Sequence, residues 1–134
     1  MIFGTFDIVY HGHLNLFQQA KKFGEKLIVV VARDSRVKTL KAAPLYNEKE
    51  RKKFLEQIRI VDTVVLGDPK DVYKVIKKLR PDTIVLGYDQ IHFTDKLETK
   101  IGEFGLKTKV VRAKPYNEKK FKTGSIKKVL ESNL

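Results

Sequence analysis

No cysteine occurs anywhere in the chain, which excludes both a disulfide framework and a thiolate metal site. Tryptophan is absent too, and no apolar run approaches the roughly 20 residues that a membrane-crossing helix needs. The N-terminus lacks the basic segment followed by an apolar stretch that marks a secretory signal, so the cytoplasm is the expected compartment and no membrane partner is expected. Acidic residues are in deficit: 16 Asp and Glu stand against 28 Lys and Arg, a formal net charge of +12. Such an excess raises on-rates for polyanions, nucleic acids and nucleotides alike. Much of it falls in helix-like runs such as Glu48-Lys49-Glu50-Arg51-Lys52-Lys53, which read as solvated faces, and no basic tail stands apart. Aromatic-rich surface strands and a helix-turn-helix pattern are also lacking, so nucleic acid is not the expected partner.

What is present is a regular alternation of strand and helix signals over a chain of 134 residues, the usual span of one domain, expected here to cover 1–134. Met1-Ile2-Phe3 is a strand stub ended by Gly4. A helix starts near His13, with Leu14, Phe17, Ala20 and Phe23 as its apolar positions and Gly24 placed to cap it. Lys26 to Ala32 is a β-branched run of the kind buried on both faces. A polar loop from Arg33 to Tyr46 follows, and then a helix with Asn47 and Glu50 as capping box and Phe54, Leu55 and Ile58 as inner face. Thr63 to Leu66 is the next strand. Asp68 and Pro69 read as N-cap and first residue of a helix carrying Val72, Tyr73, Ile76 and Leu79. A strand over Thr83–Leu86, a helix from about Thr94 to Phe104 stopped at Gly105, a strand over Lys107–Val111 and a short basic helix over Ser125–Leu130 complete the series.

Five strands alternating with helices predict an α/β fold: one doubly wound, Rossmann-like, five-stranded parallel sheet with helices on both faces. In such sheets ligands bind beyond the carboxyl ends of the strands. The first strand is short for a central strand, ordinarily about five residues; a native start upstream, or an unusually short strand, is the expectation.

The stretch around which the rest is arranged is the first sixteen residues: strand stub, polar-tipped loop, helix start. Gly4-Thr5-Phe6-Asp7, followed after two residues by Tyr10-His11-Gly12-His13, resembles the GTFDxxHxGH signature of the cytidylyltransferase-like nucleotidyltransferases. Val31-Ala32-Arg33-Asp34 and Gly87-Tyr88-Asp89-Gln90 are similar to the VARD and GYDQ segments of the archaeal-type FAD synthases within that family. The resemblance covers nearly the whole chain. It implies transfer of a nucleoside monophosphate from ATP or CTP to a phosphorylated small molecule, with release of pyrophosphate. FMN plus ATP giving FAD is the leading expectation. A glycerol-3-phosphate-type cytidylyltransferase, or a nucleotide- or nucleic-acid-binding protein without catalysis, is the alternative.

Nucleotidyl transfer needs positioning and stabilisation of charge on phosphate oxygens rather than a side-chain nucleophile. The resemblance implies that His13 is the transition-state donor at the helix start and that Gly12 permits close backbone approach. Thr5, Phe6, His11, Asp89 and Tyr116 are implied nucleotide contacts; Lys122 and Thr123, where the family pattern is matched only in part, read equally as phosphate contacts and as the cap of the last helix. Lys41, with Lys38 nearby, is implied to reach the triphosphate. The family pattern places a histidine where this chain has Tyr10. Three readings are open: a working substitution, a rescue by His11, or an impaired enzyme. Mg²⁺ or another divalent cation is expected with the triphosphate, with no resident metal site. Nothing in the sequence excludes a homodimer.

Overall fold

The β-branched runs form strands and hold one another in parallel register. In the computed structural model, which describes residues 1–40 and 43–116, the strands are β1 (Ile2–Gly4), β2 (Ile28–Val31), β3 (Thr63–Leu66), β4 (Thr83–Leu86) and β5 (Lys109–Arg112). Ile2 pairs with Val29, Val29 with Val64, and Ile84 with Val110. Parallel neighbours require crossovers, and the helices supply them: α1 (His11–Lys21), α2 (Asp34–Leu40), α3 (Glu48–Glu56), α4 (Lys74–Leu79) and α5 (Leu97–Glu103), the last preceded by a 3₁₀ turn at Thr94–Lys96.

The expected single five-stranded sheet is corrected: the strands form one sheet of three in the order β1-β2-β3 and one of two, β4-β5. Between β1 and β4 only two backbone hydrogen bonds form, and both involve Met1. Its amino group donates to the Thr83 carbonyl at 2.8 Å, and its carbonyl accepts from Val85 at 3.0 Å. A three-residue β1 leaves too few successive bonds on that side for a ladder.

Alternating side chains sort into two cores, one on each face. Ile2, Val29, Val31, Val64 and Val85 pack with Phe17 and Ala20 of α1 and Leu55 of α3. Met1, Phe3, Val30, Ile84 and Leu86 pack with Val75 and Ile76 of α4 and with Leu97 and Ile101 of α5. Burial on both faces is the reason these strands lack polar alternation. Each fully buried aliphatic or aromatic side chain contributes about 1.5–3 kcal/mol of transfer free energy.

Several local expectations are revised. Residues 34–40, read as loop, form α2, whose buried side chain is Val37. On α1 the buried residues are Phe17 and Ala20, with half-buried Leu16 packed beside them, whereas Leu14 is exposed and Phe23 lies exposed beyond the helix end. Gly24 does not adopt the left-handed cap conformation. The end of α1 is instead tied by Lys21 to Asp62, whose Oδ2 also accepts the Leu27 amide at 2.7 Å. On α3 the Asn47–Glu50 capping box forms, but Phe54 faces outward. Asp68 Oδ1 accepts the amides of Lys70 and Asp71, both at 2.9 Å, yet regular helix begins only at Lys74. At Gly105 the expected stop holds: its φ is +67°, its amide bonds Gly102 O, and the Leu106 amide bonds Ile101 O, the paired bonds of a Schellman motif. The Ser125–Leu130 helix lies outside the described residues.

Candidate active site

Two cavities open at the carboxyl ends of the strands, where doubly wound folds take ligands. The first, of about 110 Å³, is walled by the first turns of α1, by Gly87–Asp89 after β4, and by Ala113, Lys114 and Tyr116 after β5. Tyr10, Gly12 and His13 of the first motif loop line it, so residues more than seventy positions apart in sequence meet there. By helix geometry the first-turn amides of α1 lack intrahelical carbonyls, and the dipole places partial positive charge at that end.

His13 is held in one orientation. Its Nδ1 accepts the Tyr10 backbone amide at 3.2 Å, so in the neutral ring the hydrogen sits on Nε2. The ring is packed edge-on against Phe6 at 5.4 Å between centroids and against Tyr10 at 4.4 Å. Phe6 stands on Phe17 at 5.5 Å and is buried, so it supports His13 from below and does not line the cavity. Its backbone φ is +53°, a left-handed conformation costly for an aromatic residue. Gly4 makes this possible: a Cβ there would come within 2.7 Å of the Phe6 ring. The same logic fits Gly12, where a Cβ would meet the Tyr10 ring at 2.9 Å. The space beside Gly12 is thus filled by the tyrosine itself.

The loop after β4 is drawn together by two side chains. Gln90 Oε1 accepts the Gly87 amide at 3.0 Å while its Nε2 donates to Phe3 O at 3.3 Å, tying the loop to β1. Arg112 Nη1 donates to the carbonyls of Gly87 at 2.8 Å, Tyr88 at 3.4 Å and Gln90 at 2.9 Å. Asp89 and Tyr116 both line the first cavity. Gln19 of α1 exchanges hydrogen bonds with the backbone of Lys114, donating to its carbonyl at 3.0 Å and accepting its amide at 2.9 Å, which fixes the segment leading to Tyr116.

Arg51 was misread as part of a solvated face. Its side chain is wholly buried, with Nε donating to Tyr46 O at 3.0 Å, Nη1 to Thr5 O and Ala32 O at 2.9 Å each, and Nη2 to Asp34 Oδ1 at 2.6 Å. One guanidinium thereby joins the segments that follow β1 and β2 to the start of α3. Beside it, Arg33 donates to Gly67 O at 2.6 Å and pairs with Glu48 at 2.7 Å, while Glu48 Oε1 accepts the Asp34 amide at 3.0 Å. Burial alone would raise the Asp34 carboxyl, but the Arg51 hydrogen bond, the Glu48 backbone amide and the charges of Arg51 and Lys38 together outweigh it and hold the group below its ordinary value. Glu48 is likewise held low, chiefly by the Asp34 amide and then by Arg33. Asp7 of the GTFD segment accepts the amides of Leu45 and Tyr46 at 2.9 and 3.0 Å, anchoring the chain just after Lys41. The signal for Arg51 was its position four residues before buried Leu55, on the same helical stripe. No periodicity in the sequence singles out Arg112.

The remaining site residues are distributed as follows. Thr5 lines the second cavity, and His11 is exposed at the start of α1 and lines neither. Lys41, Lys122 and Thr123 lie outside the described residues. Among the described residues, no three His, Asp or Glu side chains gather in a group able to hold a metal ion. No described helix is long and apolar enough to cross a membrane.

The cytidylyltransferase-like family model matches residues 1–129. A protein named FAD synthase from Aciduliprofundum boonei is 45% identical over 118 residues, 88% of this chain and 79% of that one. One of the same name from Methanohalophilus mahii is 43% identical over 130 residues, 96% of this chain and 91% of its own. A crystal structure titled as the lipopolysaccharide core biosynthesis protein from Thermoplasma volcanium GSS1 superposes with a TM-score of 0.83 at 37% identity, covering 87% of this chain and 96% of that one. With one family model spanning all but the last few residues, and relatives matched along most of their own length, this chain belongs to the cytidylyltransferase-like family.

Proposed function

We propose that the chain is a nucleotidyltransferase that moves AMP from ATP to the phosphate of FMN, producing FAD and pyrophosphate, and that residues 1–134 work as one catalytic domain. The observation that carries this reading is the meeting of Tyr10, Gly12 and His13 with Gly87–Asp89 in a single cavity at the strand ends. The acceptor is inferred from the FAD synthases to which the chain is similar over most of its length.

A phosphate oxygen of the acceptor attacks the α-phosphorus in line. The new O–P bond forms as the bond from the α-phosphorus to the bridging oxygen breaks, and pyrophosphate leaves with that electron pair. Charge grows on the non-bridging and leaving oxygens, so fixed donors are what the protein must provide. His13 is suited to this: with Nδ1 accepting the Tyr10 amide, the neutral ring carries its hydrogen on Nε2, the donor that this reading directs to a phosphate oxygen. The start of α1 adds its dipole. Tyr10 lines the same cavity, and its phenol can donate one hydrogen bond, which favours the working substitution; exposed His11 is poorly placed to replace it.

In this reading Asp89 and Tyr116 hold the sugar and base, and Lys41, Lys122 and Thr123 approach the triphosphate from the segments after β2 and β5. Thr5, Phe6 and Gly12 shape the turn beneath the phosphates. A divalent cation supplies charge neutralisation on the phosphates when bound.

The test is an assay of the purified protein with each pairing of ATP or CTP with FMN or glycerol 3-phosphate, following pyrophosphate and product together. FAD and pyrophosphate in equal amounts from ATP and FMN are expected. Product only from CTP and glycerol 3-phosphate would favour the alcohol-phosphate cytidylyltransferase, and no product from any pair would remove the enzymatic reading.

A further inference from the structure

One wall of the first cavity is formed by Ala113, Lys114 and Tyr116, where the chain runs on past the end of β5. The Ala113 amide still bonds β4, donating to Leu86 O at 2.7 Å. There β4 ends, and Gly87 turns into the loop in which the Gln90 amide donates to Gly87 O at 3.1 Å. Pro115 favours an extended Lys114, because its ring disfavours a helical residue before it, and having no N–H it cannot continue a ladder itself. Lys114 therefore takes its backbone partners from α1.

Gln19 stands in for a further strand. Its Oε1 accepts the Lys114 amide at 2.9 Å and its Nε2 donates to the Lys114 carbonyl at 3.0 Å, so one carboxamide meets both polar groups of an edge residue as a neighbouring strand would. A second bond from Nε2 goes to Asn15 Oδ1 at 2.7 Å, one turn earlier on α1. A flipped amide would set N–H against the Lys114 N–H and oxygen against its carbonyl, so the backbone itself dictates the orientation. With Oε1 and both Nε2 hydrogens engaged inside the protein, Gln19 keeps no donor for a ligand although it lines the cavity. Its action on a nucleotide must pass through the segment that it holds.

We propose that Gln19 is a positioning residue for the nucleotide. By clasping Lys114 it places Tyr116, two residues on, at the cavity that His13 also lines, and so sets ATP affinity without touching ATP. This rests on the reading of that cavity as the nucleotide site, and adds to it a control point 95 positions away in sequence from the segment it governs. Gln19 is half-buried and Lys114 exposed, so water takes over part of the bonding when the clasp is removed, and the effect is graded rather than total.

The test is calorimetric titration of ATP with Mg²⁺ into wild type, Gln19→Leu, Tyr116→Ala and the double variant, together with steady-state FAD synthesis. Gln19→Leu is expected to weaken ATP binding about three- to tenfold, the scale of two exposed hydrogen bonds, and to raise KM for ATP in parallel. The kcat and KM for FMN should stay within about twofold of wild type, which separates positioning of ATP from general damage. Coupling is the second signature: in the Tyr116→Ala background, Gln19→Leu should change ATP affinity by less than about twofold, because no ring is left to place. Gln19→Glu keeps the acceptor for the Lys114 amide but sets a carboxylate against the Lys114 carbonyl, so it should also weaken ATP and carries the test if the leucine variant melts early. Folded variants that bind ATP as wild type does, or losses that add in full in the double variant, would overturn the positioning role and leave FAD synthesis standing. Weakened and coupled ATP binding, with no FAD formed by wild type, would keep the clasp and remove the activity. Wild type without measurable ATP binding would overturn both.

Discussion

Arg51 and Arg112 each gather the carbonyls of loops at the strand ends, Arg51 from a wholly buried position and Arg112 from an exposed one. Water competes for every bond that Arg112 makes, whereas the Arg51 guanidinium itself is out of water's reach. A hydrogen bond in water's reach exchanges one partner for another, whereas deleting a buried partner leaves desolvated groups behind. Arg51 thus belongs to the stability of the fold, and Arg112 to the shape of one loop beside the first cavity.

The comparison is tested most severely at Arg51. Arg51→Ala strands the carbonyls of Thr5, Ala32 and Tyr46 and leaves Asp34 without its partner. The expected loss is about 3 kcal/mol, the low end for breaking a buried ion pair because the Asp34 side chain is 30% exposed. Arg51→Lys should recover little, since an ammonium cannot span four acceptors in a planar fork. Urea unfolding monitored by circular dichroism measures both, and a loss below about 1 kcal/mol for the alanine variant would mean that the cluster relaxes around the gap.

That Arg51 went unread shows where the sequence stops being informative. Strands β2 and β4 are continuous β-branched or aliphatic runs, so their place in the fold is visible in composition alone. The Asn47–Glu50 box and the stop at Gly105 were legible for the same reason: each is local chemistry. Helix α2 was not, because a seven-residue helix with one buried side chain at Val37 shows no period. Phe54 and Leu55 were indistinguishable as apolar neighbours until packing buried one and exposed the other. In the candidate site the motif residues themselves could be read, but their supports could not. Phe6 beneath His13, Gln90 tied to Phe3 and Arg112 across the loop of residues 87–90 all depend on contacts between distant segments.

Arg112→Ala should have the opposite profile to Arg51→Ala. Stability is expected to stay within about 1 kcal/mol of wild type, as for most exposed positions. The nucleotide KM is expected to rise roughly three- to tenfold, the scale of one or two net hydrogen bonds lost from an exposed loop. Steady-state kinetics paired with a thermal melt separates the two effects. A large fall in melting temperature without a change in KM would erase the distinction between the two arginines.

A smaller effect is expected from acid. Asp34 and Glu48 both have folded values below their ordinary ones, so each contributes stability above the unfolded carboxylate pKa of about 4, and loses it as pH falls through the lowered folded value. Wild type should therefore weaken progressively below about pH 4, with little change between about pH 5 and 7 from these two groups. Asp34→Asn should flatten part of that acid limb in melts taken across the range. An acid limb unchanged by the substitution would show that Asp34 does not carry the linkage.

The central claim is that His13, held by the Tyr10 amide, donates to the phosphate oxygens as AMP is transferred. Single-turnover formation of FAD from saturating ATP and FMN tests it directly in wild type and His13→Ala. The expected result is a rate about 10²-fold or more below wild type, the loss typical of one preorganised donor to a transition state, with ATP affinity changed by only a few-fold. A folded His13→Ala protein that makes FAD at the wild-type rate would contradict the claim.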